Sequence, residues 1–233
     1  MVALRPMPTL VYHMVSKRPA HTRARFDMSL DMFTQQVQAL RAFQSAMQGV
    51  GAYPIHISFD DGYESFVDTA WPILQDTTLP VTMFVLPGLV GGSARWLDGD
   101  PPSLLGWPQL QALSAEGLGI GSHLMTHTHL GKMSLKILSA EAIRSKLSLE
   151  DALGLAVDKV AVPYGYCTPD QARLLRDVGY KEVHIVDGPW FRQTQYPDGV
   201  IARQEMRGDI PFEGRFQILR RNLYHECRSD SRP

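Results

Sequence analysis

Two groups of residues in this sequence have the types and spacing of a metal-assisted hydrolytic site. Asp60 and Asp61 are adjacent, and His123, His127 and His129 lie within seven residues of one another. One carboxylate and two neutral imidazoles can hold a divalent cation and leave positions open for water and substrate. Such a cation lowers the pKa of its water toward about 7 and polarises a carbonyl. The second carboxylate could then accept a proton, and a protonated histidine could give one to a departing amine.

Each group also has an ordinary structural explanation. Asp-Asp-Gly is a good turn sequence, because Asp tolerates tight backbone conformations and Gly supplies a positive φ. A single histidine is more often a hydrogen-bonded structural residue than a ligand, but three in one short segment after a predicted strand give the metal site about equal weight. The residue types leave two ligand pairs open, His123 with His127 and His127 with His129.

Short apolar or β-branched segments alternate with helical patterns along the chain, which is the order that gives a parallel sheet with helices outside it. Behind a possible N-cap at Ser29, Leu30, Phe33, Val37 and Leu40 recur at helical spacing. Further helices are predicted between Pro108 and Gly117, between Ser139 and Gly154, and between Thr168 and Gly179. Seven strands are predicted, at 9–12, 55–59, 81–86, 118–121, 160–162, 182–186 and 200–203.

Polar residues follow these predicted strands at their carboxyl ends. In a barrel of parallel strands those ends share one face, and that face carries the active site. The sequence therefore predicts an α/β barrel in which distant residues converge. The residues in question are His13, Asp60 and Asp61, Ser122 and His123, Pro163 and Tyr164, Asp187, and Arg203.

Composition narrows the class of protein. The chain has 233 residues, 44% of them hydrophobic, which predicts a single globular domain over 1–233 with about the last 15 residues as a polar tail. Its 23 Lys and Arg nearly cancel its 24 Asp and Glu, so nucleic acid is not an expected partner. Cys167 and Cys227 are too few for a disulfide framework or a thiolate metal cluster.

The apolar segments are too short for a membrane span, which needs about 18 residues. The first ten residues include an arginine and two prolines instead of the unbroken apolar stretch of a signal peptide. These features predict a cytoplasmic protein without a membrane span.

Three motifs resemble those of the NodB-homology polysaccharide deacetylases. They are Ser-Phe-Asp-Asp-Gly-Tyr at 58–63, Gly-Ser-His-Leu-Met-Thr-His at 121–127 followed by His129-Leu130, and Val-Pro-Tyr-Gly at 162–165. With Leu-Val-Tyr-His at 10–13, their order is most similar to the poly-N-acetylglucosamine deacetylase branch. The resemblance implies a distorted (β/α)7 barrel that hydrolyses acetyl groups from N-acetylated sugars. It also implies a divalent metal ion, with Zn²⁺ as the first expectation and Ni²⁺, Co²⁺ or Fe²⁺ as alternatives.

The same resemblance implies a role for each matching residue. Asp60 would be the general base, His13 the general acid, and Tyr164 a backbone contributor to the oxyanion hole. The metal ligands would be Asp61, His123 and His127. His225, in Leu-Tyr-His at 223–225, superficially resembles the late acid motif of other members, but only His13 ends a strand on the predicted active face.

Two positions depart from the family pattern. Leu124 stands where the second motif usually has Ser or Thr, so the loop between the histidines must be held differently. Ala161 stands where the third motif often has Arg, so the residue that orients the base must come from elsewhere. Arg203, at the end of the seventh predicted strand, is the candidate.

The substrate pocket is expected to be lined by Tyr12, Pro163, Tyr164, Asp187 and Trp190, because sugar rings bind flat against aromatic faces. A cytoplasmic location favours a small N-acetylated saccharide, or an N-acetyl sugar on a biosynthetic intermediate, over a finished polymer. Two alternatives use the same residues or the same barrel: a metal-dependent amidohydrolase that acts on a non-sugar amide, and an inactive carbohydrate-binding homologue.

Overall fold

The strands and helices alternate along the chain in the computed structural model, which describes residues 9–20, 25–47, 55–188 and 191–210. In chain order the elements are β1 (Thr9–Tyr12), β2 (Met14–Ser16), β3 (Asp27–Ser29), α1 (Leu30–Met47), β4 (His56–Phe59), α2 (Trp71–Leu74), β5 (Val81–Val85), α3 (Trp107–Ala115), β6 (Gly119–Ser122), α4 (Leu135–Leu153), β7 (Lys159–Ala161), α5 (Pro169–Asp177), β8 (Glu182–Val186) and β9 (Val200–Glu205).

Seven of these strands form a closed parallel barrel in the order β1-β4-β5-β6-β7-β8-β9. The barrel closes where β9 pairs with β1, with Leu10 opposite Gln204. The seven-stranded α/β barrel predicted from the sequence is confirmed. Because every strand in it is parallel, all the carboxyl ends open on one face.

The predicted boundaries differ from the observed ones by a residue or two at most strands. The larger difference is at the start of α4, which is N-capped by Ser134 and not by Ser139. The Ser134 hydroxyl accepts a hydrogen bond from the Ile137 N–H, and the helix therefore begins five residues earlier than predicted. The capping box of α5 is confirmed, with Thr168 and Gln171 as its members.

A small two-stranded sheet, β2 with β3, was not predicted. Its strands have three residues each, too short to give a recognisable pattern. The sheet follows directly on β1, and the Met14 N–H donates to the Phe26 carbonyl at 2.8 Å. This pairing holds Arg25 and Phe26 beside the carboxyl end of β1.

Alternation along the strands separates core residues from site residues. Leu10 and Tyr12 of β1, with Phe59 of β4, belong to the main apolar core, which also includes Phe33 of α1. Ser58 of β4 and Asp60, which directly follows β4, alternate with Phe59 and therefore face the interior of the barrel. Within the described residues, none of the helices is both long enough and apolar enough to cross a bilayer.

Candidate active site

The centre of the site is a buried pair between Asp60, which follows β4, and Arg203 of β9. The guanidinium is fully buried and bonds both carboxylate oxygens, Nη1 to Oδ1 at 2.6 Å and Nη2 to Oδ2 at 2.8 Å. Nη1 also donates to the Ser58 hydroxyl at 3.2 Å, and the guanidinium carbon lies over the Phe84 ring, 5.2 Å from its centroid. Burial would raise the pKa of Asp60, but the charge and hydrogen bonds of Arg203, together with the charges of His123 and His13, outweigh it, and the pKa is lowered. Asp60 is therefore ionised.

Asp61 is turned toward the centre of the barrel by an unusual backbone conformation. Its φ is +75°, and Gly62 follows with φ +79°. A Cβ at Gly62 would also lie 3.0 Å from Cγ1 of Val85, so glycine is required there for both conformation and space. The Asp-Asp-Gly sequence is thus a tight turn, and the turn itself carries the site carboxylates.

Asp61, His123 and His127 converge on one point. Oδ1 of Asp61 lies 3.3 Å from Nε2 of each histidine, and the three ligand-type atoms lie within 4.8 Å of one another. Oδ1 is buried, yet no described residue gives it a hydrogen bond of good geometry. A buried carboxylate oxygen without a hydrogen bond, next to two imidazole nitrogens, is suited to binding a divalent cation.

The hydrogen bonding of His123 supports the same conclusion. Its Nδ1 lies 2.8 Å from the Ala161 carbonyl oxygen, which can only accept, so Nδ1 carries a proton. In the neutral ring the lone pair is then on Nε2 and faces Asp61, which is the usual arrangement of a metal-binding histidine. Burial would lower the pKa of His123, but the carboxylates of Asp60 and Asp61 outweigh it and raise the pKa. The site therefore attracts a positive charge at this position.

His127 is held between two aromatic rings. The Trp96 ring is stacked on it at 4.2 Å, and the Tyr164 ring lies 4.6 Å away on centroids. Burial lowers the pKa of His127 to about 4, which keeps the imidazole neutral, as a ligand must be. His129 is not part of this group: its Nδ1 accepts from the Gly131 N–H at 2.9 Å. Of the two ligand pairs left open by the sequence, the structure brings together His123 and His127.

A cavity of about 480 Å³ opens over the triad. This volume is within the range of small-ligand sites. His13 reaches it from the end of β1 with its ring 5.0 Å from that of Phe26, and its Nδ1 is buried without a partner among the described residues. The cavity is lined by His13, Arg25, Phe26, Asp60, Asp61, Tyr63, Trp96, Leu97, His123, His127, His129, Tyr164, Gly165, Val186 and Glu205.

Backbone strain is concentrated around this cavity. Among the described residues, the non-glycine residues with positive φ are Asp61, Leu124 and Tyr164. Asp61 belongs to the triad, Leu124 lies between the two histidines, and Tyr164 borders the cavity with its side chain 57% exposed. Strained conformations that the surrounding structure enforces are typical of functional sites.

Several predicted pocket residues lie elsewhere. Tyr12 does not line the cavity: it is 1% exposed, and its hydroxyl donates to Gln36 of α1. Adjacent residues of a strand point to opposite faces, so β1 can present His13 to the cavity only by turning Tyr12 into the core. Pro163 is the buried first residue of the strained turn at Pro163–Gly165 and does not line the cavity either. Asp187 is exposed after β8, next to the cavity residue Val186.

Trp190 and His225 fall outside the described residues. The residue patterns also missed Arg25, Phe26, Trp96 and Glu205 as cavity residues. The sequence marks Trp96 only by its residue type, a tryptophan in a long loop. Glu205 could have been found by strand alternation, because it lies two positions after Arg203 on the same strand and therefore on the same side of the pleat.

The barrel and the carboxylate–imidazole group at its carboxyl face define an α/β-barrel protein with a candidate metal centre. The family model for polysaccharide deacetylases matches residues 48–183, more than half of the chain. The chain belongs to the polysaccharide deacetylase family, as the three motifs indicated.

One curated relative and two solved structures are similar to this chain. YxkH of Bacillus subtilis (strain 168), which carries the family's name, is 20% identical over 185 residues, covering 75% of this chain and 62% of that protein. The deacetylase PplD of Streptococcus pyogenes superposes with a TM-score of 0.71 at 19% identity, over 91% of this chain and 96% of that one. IcaB of Ammonifex degensii gives a TM-score of 0.67 at 24% identity, over 88% and 94%. These structures share the fold of this chain.

Proposed function

We propose that this protein is a metal-dependent hydrolase that removes acetyl groups from an N-acetylated saccharide. The observation that carries the proposal is the position of the Asp61, His123 and His127 triad beside an ionised, Arg203-bound Asp60 in one cavity. Membership of the polysaccharide deacetylase family supports the reaction type.

Asp61, His123 and His127 would hold a divalent ion, for which Zn²⁺ is the first expectation because of the mixed nitrogen and oxygen ligands. When bound, the ion supplies Lewis acidity that activates water and polarises the acetyl carbonyl. The Ala161 carbonyl and the Trp96 ring orient the two histidines for that task.

Asp60 acts as the general base in this proposal. It takes a proton from the attacking water, and Arg203 keeps its carboxylate ionised and oriented through two hydrogen bonds. Arg203 thus replaces the arginine that the third family motif often supplies and that is Ala161 in this chain.

His13 acts as the general acid that protonates the departing amine. It borders the cavity, and its ring orientation is supported by the Phe26 ring. The backbone N–H of Tyr164, held at φ +63°, is the proposed donor to the developing oxyanion. The rings of Trp96, Tyr164 and Phe26 line the cavity, and aromatic rings suit the apolar faces of sugar rings.

The experiment is a panel of acyl compounds assayed for acetate release by the metal-loaded protein. N-acetylated mono- and disaccharides, longer N-acetylated oligosaccharides and non-sugar N-acetyl amides are compared, with Asp60→Asn as the control. We expect acetate from the sugars and a loss of about 10²–10⁴-fold in Asp60→Asn. Turnover of non-sugar amides alone would refute the substrate class, and preference for long oligosaccharides would refute the expectation of a small substrate.

A further inference from the structure

The loop that separates the two candidate histidine ligands is held from outside the barrel by helix α4. Residues 124–126 connect His123 to His127, and Glu141 of α4 lies beside them. Its Oε2 accepts three hydrogen bonds, from the N–H of Met125 at 3.1 Å, the N–H of Thr126 at 3.0 Å and the hydroxyl of Thr126 at 3.2 Å. One carboxylate oxygen therefore fixes two consecutive peptide groups of this loop.

A second contact comes from Ser145, one helical turn further along the same face of α4. Its hydroxyl lies 2.7 Å from that of Ser122, the last residue of β6. The Ser122 hydroxyl in turn accepts the N–H of Leu124 at 3.0 Å. Glu141 and Ser145 thus engage opposite ends of the loop from one helix.

The loop needs such support because its backbone is strained. Leu124 has φ +65° and is fully buried, a conformation that a leucine keeps only when its surroundings enforce it. The Leu124 side chain has no polar atom, so it cannot hold the loop through a hydrogen bond of its own. Hydrogen bonds to a carboxylate are stronger than those between neutral groups, which makes Glu141 the main support.

We infer that Glu141 is a positioning residue for the metal centre: it fixes the loop at 124–126 and thereby sets the distance between His127 and His123. The inference rests on the proposed metal-binding function. Glu141 does not line the cavity and is not a catalytic residue. Its effect on the site passes through the backbone of Met125 and Thr126.

The test compares metal affinity in four forms of the full chain, measured by competition with a chelator. Glu141→Met keeps the side-chain length but removes the acceptor, and we expect binding of Zn²⁺ weaker by about 10–100-fold, the usual effect of losing a group that orients a ligand. Glu141→Gln should lose less affinity than Glu141→Met, because the amide still offers one acceptor oxygen to the same three donors but lacks the charge that strengthens these hydrogen bonds.

Glu150→Ala is the matched control. Glu150 is on the same helix and accepts a backbone N–H, that of Val157, together with the Lys146 ammonium, but it does not contact the metal loop. We expect this variant to lower Tm without changing the affinity for Zn²⁺. Wild-type affinity in Glu141→Met, or an equal loss in Glu150→Ala, would overturn the inference.

Amide hydrogen exchange separates a failure of this inference from a failure of the proposed function. If the wild type binds no metal, the proposed function fails, and the exchange of the Met125 and Thr126 amides in metal-free protein still tests the contact. We expect faster exchange at both in Glu141→Met and not in Glu150→Ala. Unchanged exchange would contradict a role confined to the loop. If Glu141→Met does not fold, Glu141→Ala is made as a second variant without the acceptor, and its failure to fold as well would also contradict that role.

Discussion

The pair between Asp60 and Arg203 allows a quantitative test of how the candidate base is held. Both side chains are at least 95% buried, and two hydrogen bonds of 2.6 and 2.8 Å join them. Asp60→Asn and Arg203→Met each remove one charge at similar side-chain size. Each leaves a buried charge without its partner, so each should lower the free energy of unfolding by about 3–5 kcal/mol.

The double variant Asp60→Asn with Arg203→Met removes both charges together. No buried charge is then left alone, and we expect its loss to be smaller than the sum of the two single losses by at least about 2 kcal/mol. The assay is urea unfolding of metal-free protein, so that bound metal does not contribute. Losses that add to within about 0.5 kcal/mol would refute the reasoning, because they would mean that the two charges do not stabilise each other.

Three further outcomes are expected. His123→Ala should lose the metal while His129→Ala keeps it, as measured by metal analysis of purified protein; the opposite pattern would exclude the triad. His13→Ala should retain the metal and lose kcat by about 10²-fold or more, and full activity would exclude it as the acid. Burial lowers the pKa of His184 to about 4 and that of His56 to about 3. In the unfolded chain both histidines bind a proton below about pH 6.5, whereas in the folded protein they stay neutral at pH 5. The free energy of unfolding should therefore fall by about 2 kcal/mol per histidine as the pH is lowered from 7 to 5. In His184→Phe, the free energy of unfolding measured in urea should fall by correspondingly less between the two pH values. An equal fall would contradict the claim that His184 is neutral in the folded protein.

Most of the barrel was predictable because short apolar segments alternate with helical patterns, and the convergence of the site was predictable because polar residues follow the strands at ends that share one face. That reasoning placed Asp60 and Arg203 together although 143 positions separate them, and the structure joins them directly. It failed for Tyr12, because it treated neighbours on one strand as if both could face the cavity. It also missed Phe26 and Arg25, which reach the cavity through a two-stranded sheet too short to leave a pattern.

The loop residues were hardest to predict for a different physical reason. Trp96 lies in a long connection without periodicity, so nothing in the sequence indicates that it stacks on His127. Glu141 is one polar residue among many on α4, and only the fold shows which of them meets the loop at 124–126. Positions set by tertiary contacts of this kind leave little trace in local sequence.

The most direct test of the central claim is acetate release measured while Zn²⁺ is added back to metal-stripped protein. With an N-acetylated saccharide as substrate, we expect no turnover without metal and full turnover once one ion is bound per chain. Asp61→Asn, which weakens one of the three proposed ligands, should need more Zn²⁺ for the same rate. Full acetate release by the metal-stripped protein would contradict the claim that this triad is a hydrolytic metal centre.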